Sequence, residues 1–352
     1  MKKNKPQTFL ITGGTGFLGC HVARELVRRG MRVKLLDLES LNEPDLWGRV
    51  ENYVGDVRNK ILVERLMEGV DVVIHAAAAL PLAQPEEVRS TTIGGTKVVL
   101  ESAQKNKVKR VIYISSTAVY GVPEKHPIFE NDARIGVGPY GEAKIKAEKM
   151  CEQFREEGMI VPIIRPKTFI GSGRLGVFQI LFDWVRRGCR IPVIGDGRNR
   201  YQLLGVEDLV NAIWLAASKP ARAANDTFNV GAKKFETVEK DLTKFFKAVD
   251  SNSRVLRTPA KAIKRTLAAL ERLNLSPLYA WVYATADRDS FVSTDKIEKK
   301  LGWRAKYSNA ETLIRTFEWY QKHWKEYEKA TGITHRVAWK QGALKIARWI
   351  LQ

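Results

Sequence analysis

Tyr140 and Lys144 are the pair in this chain best suited to moving a proton. Residues at i and i+4 share one face of a helix. An ammonium beside a phenol favours the phenolate and draws its pKa toward neutrality, where it can exchange a proton with an alcohol. A second run, Ser115-Ser116-Thr117, places hydroxyls at the end of a strand-like segment, where one of them can orient a substrate alcohol. The third feature is Thr12-Gly13-Gly14-Thr15-Gly16-Phe17-Leu18-Gly19. Glycines there let the backbone turn sharply against a pyrophosphate, and the start of the following helix faces the anion with its N–H groups. Gly13, Gly16, Phe17, Leu18 and Gly19 are the residues expected against a dinucleotide.

These groups need a scaffold, and the first half of the chain supplies an alternating one. Residues 8–12, 32–36, 51–54, 70–75, 111–115 and 161–165 read as strands, and 19–29, 91–106 and 139–157 as helices. Short apolar strands between amphipathic helices predict an α/β protein with a Rossmann-type doubly wound parallel sheet. Asp37 ends the second strand about 20 residues after the turn, where a carboxylate accepts hydrogen bonds from a ribose diol and repels a 2′-phosphate. The cofactor read from the residues is therefore NAD rather than NADP. Asp56 and Val57 follow the third strand, where adenine would lie. Ala76 and Ala77 follow the fourth, where small side chains admit the cofactor. The second half is less regular, with helices over 177–188, 206–218 and 237–249 and a strand over 228–230 that returns to the main sheet. The expected division is an NAD-binding domain over 1–165, joined by 204–230. A smaller, discontinuous substrate domain follows over 166–203 and 231–330, and a basic amphipathic tail over 331–352.

Taken together, the motifs resemble the extended short-chain dehydrogenase/reductases, in particular the NAD-dependent sugar epimerase/dehydratase family. They are TGGTGFLG (12–19), Asp37, GDV (55–57), HAAA (75–78), SSTAVYG (115–121), PYGEAK (139–144), RP (165–166), GDG (195–197), VEDLV (206–210), FNVG (228–231) and LGW (301–303). The resemblance implies that Ser116 is the catalytic hydroxyl and Tyr140 the acid/base. It implies that Lys144 binds the nicotinamide ribose and tunes Tyr140, with Thr117 beside the substrate. It also implies a homodimer. Dehydratases of the family carry Asp-Glu after the catalytic hydroxyl, but here Thr117-Ala118 stands in that place, so elimination of water is disfavoured. Thr92 replaces an Asn common before the central helix. Tyr201 stands where a sugar-diphosphate-binding arginine is usual, which leaves Arg200 and Arg288 as candidates for an anionic group of the substrate.

The formal net charge is +20 over 352 residues. A surplus of that size attracts anions. Basic residues gather at Arg254, Arg257, Lys261, Lys264, Arg265 and Arg272, with Leu267, Leu270, Leu273 and Trp281 among or after them. Residues 335–352 place Trp339, Ala343, Ile346 and Ile350 at helical spacing beside Arg336, Lys340, Lys345 and Arg348. Such a helix suits an anionic membrane surface; packing on the protein itself or in a dimer interface is the competing reading. No nucleic-acid motif is present, and nucleic acid is not an expected partner. No apolar run reaches about 18 residues, so no spanning helix is expected. The basic start at Lys2 and Lys3 is followed by an apolar run broken at Gly13 and Gly14, unlike a signal peptide. Three cysteines without paired spacing suggest a reducing compartment, and five histidines without ligand spacing predict no metal. The expected location is cytoplasmic, with a peripheral position on the inner membrane face if the tail binds lipid.

Two reactions fit the residues. One is epimerisation of a nucleotide- or lipid-linked sugar by transient oxidation with retained NAD. The other is net oxidation of a lipid or sterol alcohol, as in 3β-hydroxysteroid-type dehydrogenases. A non-catalytic dinucleotide-sensing role is disfavoured by the intact Ser116, Tyr140 and Lys144.

Overall fold

The computed structural model describes residues 6–79, 83–173, 177–272, 283 and 285–328. The chain divides into two compact units. The first comprises the segment up to Lys167, Val206–Val230 and Ser293–Arg304. The second comprises Thr168–Gly205, Gly231–Val292 and the chain from Ala305 on.

In the first unit, β1 (Thr8–Thr12), β2 (Arg32–Asp37), β3 (Glu51–Val54), β4 (Val72–His75), β5 (Arg110–Ile114), β6 (Ile163–Pro166) and a late strand, Thr227–Val230, form one parallel sheet. The order is β3-β2-β1-β4-β5-β6 followed by the late strand, so the direction of winding reverses between β1 and β4. Ligands of such sheets bind beyond the carboxyl ends of the strands at that reversal. β1, β4 and β5 are buried along their whole length, because helices cover both faces of a parallel sheet. Helices α1 (Phe17–Arg28) and Val206–Ser218 pair with each other. Helix α2 (Lys60–Leu66) packs on α4 (Gly95–Lys105), which packs on α5 (Gly138–Glu156).

The central helix begins earlier than its apolar pattern suggests. Pro85–Arg89 (α3) opens it with Pro85 at the first turn and Glu86 and Glu87 behind, a favourable N-terminus. A π-turn over Ser90–Gly94 then joins it to α4. Arg110, buried in β5, donates to the carbonyls of Ala216, Ala217 and Lys219 and so satisfies the end of the helix Val206–Ser218.

Ser293–Arg304 joins the first unit, which corrects its assignment to the substrate domain. Trp303 is fully buried and its indole N–H donates to the Asp208 carbonyl at 3.0 Å. The helix Asp295–Leu301 presents Lys296 and Lys300 to the Asp226 carboxylate at 2.7 and 2.5 Å.

The second unit holds two short parallel pairs, Phe169–Ile170 with Leu204–Gly205 and Ile191–Ile194 with Val255–Thr258. Its core gathers Phe182, Phe245, Phe246, Phe317 and Tyr320 from the helices Val177–Arg186, Val238–Ala248 and Asn309–Glu328. The helix Ala260–Arg272 carries much of the basic cluster, but distant carboxylates meet part of it. Arg257, just before that helix, pairs with Glu239, and Lys264 pairs with Asp287. Leu273, Trp281 and the tail 335–352 lie outside the described residues. Among the described residues, no helix is long and apolar enough to cross a membrane.

Candidate active site

The glycine turn sits between β1 and α1 at the carboxyl edge of the sheet. Gly13 has φ +71°, and a Cβ there would lie 2.8 Å from the backbone nitrogen of Ala77. A Cβ on Gly19 would clash with the Gly13 carbonyl oxygen, so α1 rests directly on the turn. Gly16 caps α1 in extended conformation and has no side chain to cap it, and no acid lies in the first turn. That leaves the positive end of the helix for an anion. The Asp37 carboxylate accepts from the backbone N–H of Thr15 at 3.0 Å and of Leu38 at 2.7 Å. Two fixed donors orient it at the edge of the turn, and it keeps lone pairs for further hydrogen bonds. Val57 is buried against Gly95, and Asp56 lies under the Arg58 guanidinium, whose hydrogen bond holds its carboxyl below the usual range. Ala76 and Ala77 are half-buried beside Gly13. A turn without room for a Cβ, an uncapped helix and an oriented carboxylate fit a dinucleotide.

The catalytic candidates lie at the end of β5 and the start of α5. Ser116 is half-buried and caps the turn Thr117–Tyr120, its Oγ accepting from the Ala118 N–H at 3.1 Å. An accepting hydroxyl keeps its own proton for another partner. Ser115 differs: it is buried, and its Oγ donates to Glu148 Oε1 at 2.5 Å. The structure thus separates the two adjacent serines. Gly141, in the first turn of α5, packs against that turn so closely that a Cβ would meet the Ala118 carbonyl at 3.0 Å.

Lys144 is buried, and its Nζ donates to the Ile114 carbonyl at 2.8 Å. The Nζ lies 4.9 Å from the centre of the Tyr113 ring and 5.9 Å from that of Tyr140. Burial lowers its pKa to about 8, against the raising influence of Glu148. Tyr140 is half-buried, one helical turn before it.

Glu148 is a supporting residue that the sequence reading overlooks. It is fully buried and accepts from Arg165 Nε at 2.8 Å and Nη2 at 2.7 Å, and from Arg134 at 3.0 Å. Arg165 also donates to the Tyr120 hydroxyl at 2.7 Å, which donates to Asn229 at 2.7 Å. This network ties β5, β6 and α5 together beneath Ser116 and Lys144. Its signal was present in the sequence, because Tyr140, Lys144 and Glu148 repeat every four residues along one helical face.

Arg200 and Arg288 lie in the second unit. Both are exposed. The Arg200 guanidinium lies 4.8 Å from the Phe235 ring and 4.5 Å from the Phe291 ring, while Arg288 contributes a backbone carbonyl to Asn199. Tyr201 hydrogen-bonds the Thr168 hydroxyl at 2.8 Å. Thr92, the replacement for Asn, takes the Thr96 hydroxyl on its carbonyl, and among the described residues its own buried Oγ1 has no partner.

A model of the NAD dependent epimerase/dehydratase family matches residues 9–231. The chain belongs to that family. The motif resemblance is borne out, and NAD is the cofactor. An uncharacterized protein of Sinorhizobium fredii is 33% identical over 350 residues, 98% of this chain and 87% of that protein. A UDP-glucose 4-epimerase of Lactobacillus helveticus is 26% identical, covering 91% of this chain and 98% of its own. Among solved structures, a UDP-glucose 4-epimerase of Thermotoga maritima with UDP-glucose superposes with a TM-score of 0.74 at 28% identity, over 90% of this chain and 100% of that one.

Proposed function

We propose that this enzyme inverts a hydroxyl-bearing carbon of a nucleotide-linked sugar, with Tyr140 as acid and base. The observation that carries this reading is the arrangement of Ser116, Tyr140 and Lys144 at the carboxyl edge of the sheet. When bound, NAD supplies a reversible acceptor for the hydrogen on the reacting carbon. The chain's residues supply position and charge. The Ser116 hydroxyl, with its proton uncommitted, donates to the sugar oxygen. Tyr140 starts as a phenolate stabilised by the nearby Lys144 ammonium, takes the proton from that oxygen, holds it as the neutral phenol and returns it.

The UDP-glucose and UDP-arabinose 4-epimerases among the relatives support a nucleoside diphosphate sugar as substrate and C4 as the reacting carbon. Thr117-Ala118, without a carboxylate, supports inversion over dehydration.

The test is incubation of the purified enzyme with UDP-glucose, UDP-galactose and UDP-pentoses, with product stereochemistry followed by NMR and NADH by fluorescence. Interconversion of C4 epimers without accumulating NADH is the expected result. Tyr140→Phe should lower turnover by roughly 100-fold or more. Steady NADH production would replace this reading with net oxidation, and full activity of Tyr140→Phe would remove Tyr140 from the chemistry.

A further inference from the structure

His75 ends β4 and is 1% exposed. Its two ring nitrogens bond in a sequence that admits only one tautomer. The Thr96 hydroxyl gives its single proton to the Thr92 carbonyl at 2.5 Å. His75 Nε2, 3.0 Å from the same oxygen, must therefore be the N–H donor. Nδ1 then carries a lone pair, and Thr12 Oγ1, 2.7 Å away, must donate to it. The Thr12 oxygen accepts the Ala77 N–H at 3.3 Å. The chain runs in one direction from the Ala77 amide through Thr12, His75 and Thr96 to the Thr92 carbonyl. The opposite tautomer would set the Nε2 lone pair against the Thr96 oxygen.

This chain joins three segments of the crevice. Thr12 leads into the glycine turn, Ala77 lies in the loop after β4, and Thr92 lies in the π-turn before α4. The turn and the loop touch without slack, because a Cβ on Gly13 would lie 2.8 Å from Ala77 N and 3.0 Å from Ala76 C. A shift of the loop therefore displaces the turn. We propose that His75, neutral with its proton on Nε2, is a positioning residue that sets the spacing of the glycine turn and the Ala76-Ala77 loop, and so the affinity for NAD. Burial keeps its pKa near 3. The titratable groups facing it are Tyr113, with ring centroids 5.7 Å apart, and Lys144, whose charge lowers the pKa further.

The inference rests on NAD lying on the Gly13–Gly19 turn, and the test separates the two. NAD dissociation constants are measured on stripped wild type, Thr12→Val, His75→Phe and Gly13→Ala, with thermal unfolding of each. The ring tautomer of wild-type His75 is read by 15N NMR. We expect a proton on Nε2, and NAD binding weakened about tenfold or more in both Thr12→Val and His75→Phe. The double variant should lose little more than either single one, because both break the same chain. Thr12→Val removes only a hydroxyl, so it keeps the test decisive if His75→Phe fails to fold. A protonated Nδ1 overturns the inference. So does wild-type NAD affinity in Thr12→Val while Gly13→Ala is defective, whatever the melting temperatures. Wild-type affinity in Gly13→Ala as well overturns the cofactor's placement and this inference with it.

Discussion

Replacing Lys144 with methionine should stabilise the cofactor-free protein at neutral pH and abolish its activity. The Nζ is buried against the Ile114 carbonyl and the Tyr113 and Tyr140 rings, and burial draws its pKa from 10.5 to about 8. The folded-state pKa lies below the unfolded one. Between these values the unfolded chain holds more protons, and the stability contributed by this site rises with pH across that window. Below it the full penalty applies, about 3 kcal/mol at roughly 1.4 kcal/mol per unit. Methionine gives up the bond to Ile114, worth about 1 kcal/mol, so the variant should gain about 2 kcal/mol near pH 7. Urea unfolding of stripped wild type and Lys144→Met, from near pH 7 to near pH 10, measures this directly. The wild type should recover about 2 kcal/mol relative to the variant over that range. The neighbouring Tyr113 phenol and Cys151 thiol are themselves pushed up by burial and stay protonated there. Other titrating groups are common to both proteins and cancel in the difference. A difference that does not change with pH, or a variant less stable than wild type near pH 7, refutes the account of a strained buried ammonium.

Other substitutions probe the frame around that lysine. Glu148→Gln removes a charge that accepts from two guanidinium groups and should cost about 3–5 kcal/mol in urea unfolding, because Arg165 is left buried and uncompensated. A loss below about 1 kcal/mol would show that the network is not stabilising. Asp37→Ala should weaken NAD binding and narrow the preference over NADP, both read by titration calorimetry; an unchanged preference would move the ribose away from Asp37. Gly19→Ala forces a Cβ against the Gly13 carbonyl and should cost about 3 kcal/mol, with NAD binding impaired. Wild-type stability in that variant would mean that α1 can lift from the turn.

Much of the first unit was legible because its constraints are local. The glycine turn must follow a strand and open a helix, so TGGTGFLG placed β1 and α1 together. The Tyr140–Lys144 spacing has meaning only on a helix, and α5 supplies one. What could not be read depends on pairing between distant residues. Ser115 and Ser116 are identical in type and adjacent; the resemblance singles out Ser116, but that Ser115 is committed to the scaffold shows only in its bond to Glu148, far along the chain. Trp303 lies in sequence between two stretches of the second unit but is buried in the first, its indole N–H bonded to the Asp208 carbonyl. Arg257 and Lys264 look like members of an uncompensated basic cluster until Glu239 and Asp287 meet them in space. The short strands Ile191–Ile194 and Val255–Thr258 escaped notice because four residues carry too little periodicity to separate strand from loop.

The same tertiary pairings explain why Lys144 is costly to keep. Glu148 lies one helical turn away, but its oxygens already accept from Arg165, Arg134 and Ser115, so it offsets only part of the desolvation of the ammonium. An ammonium has three donors. Among the described residues, the hydrogen bond found for this one is to the Ile114 carbonyl, and the Tyr113 and Tyr140 rings lie beside it. A core built for stability alone would not hold such a group. The remaining N–H groups are what a ribose diol or a phenolate would use, and binding there would return the free energy that burial removes. The stability penalty at Lys144 and the proposed catalytic role of Tyr140 are then two consequences of one arrangement, and the methionine variant measures the first without assuming the second.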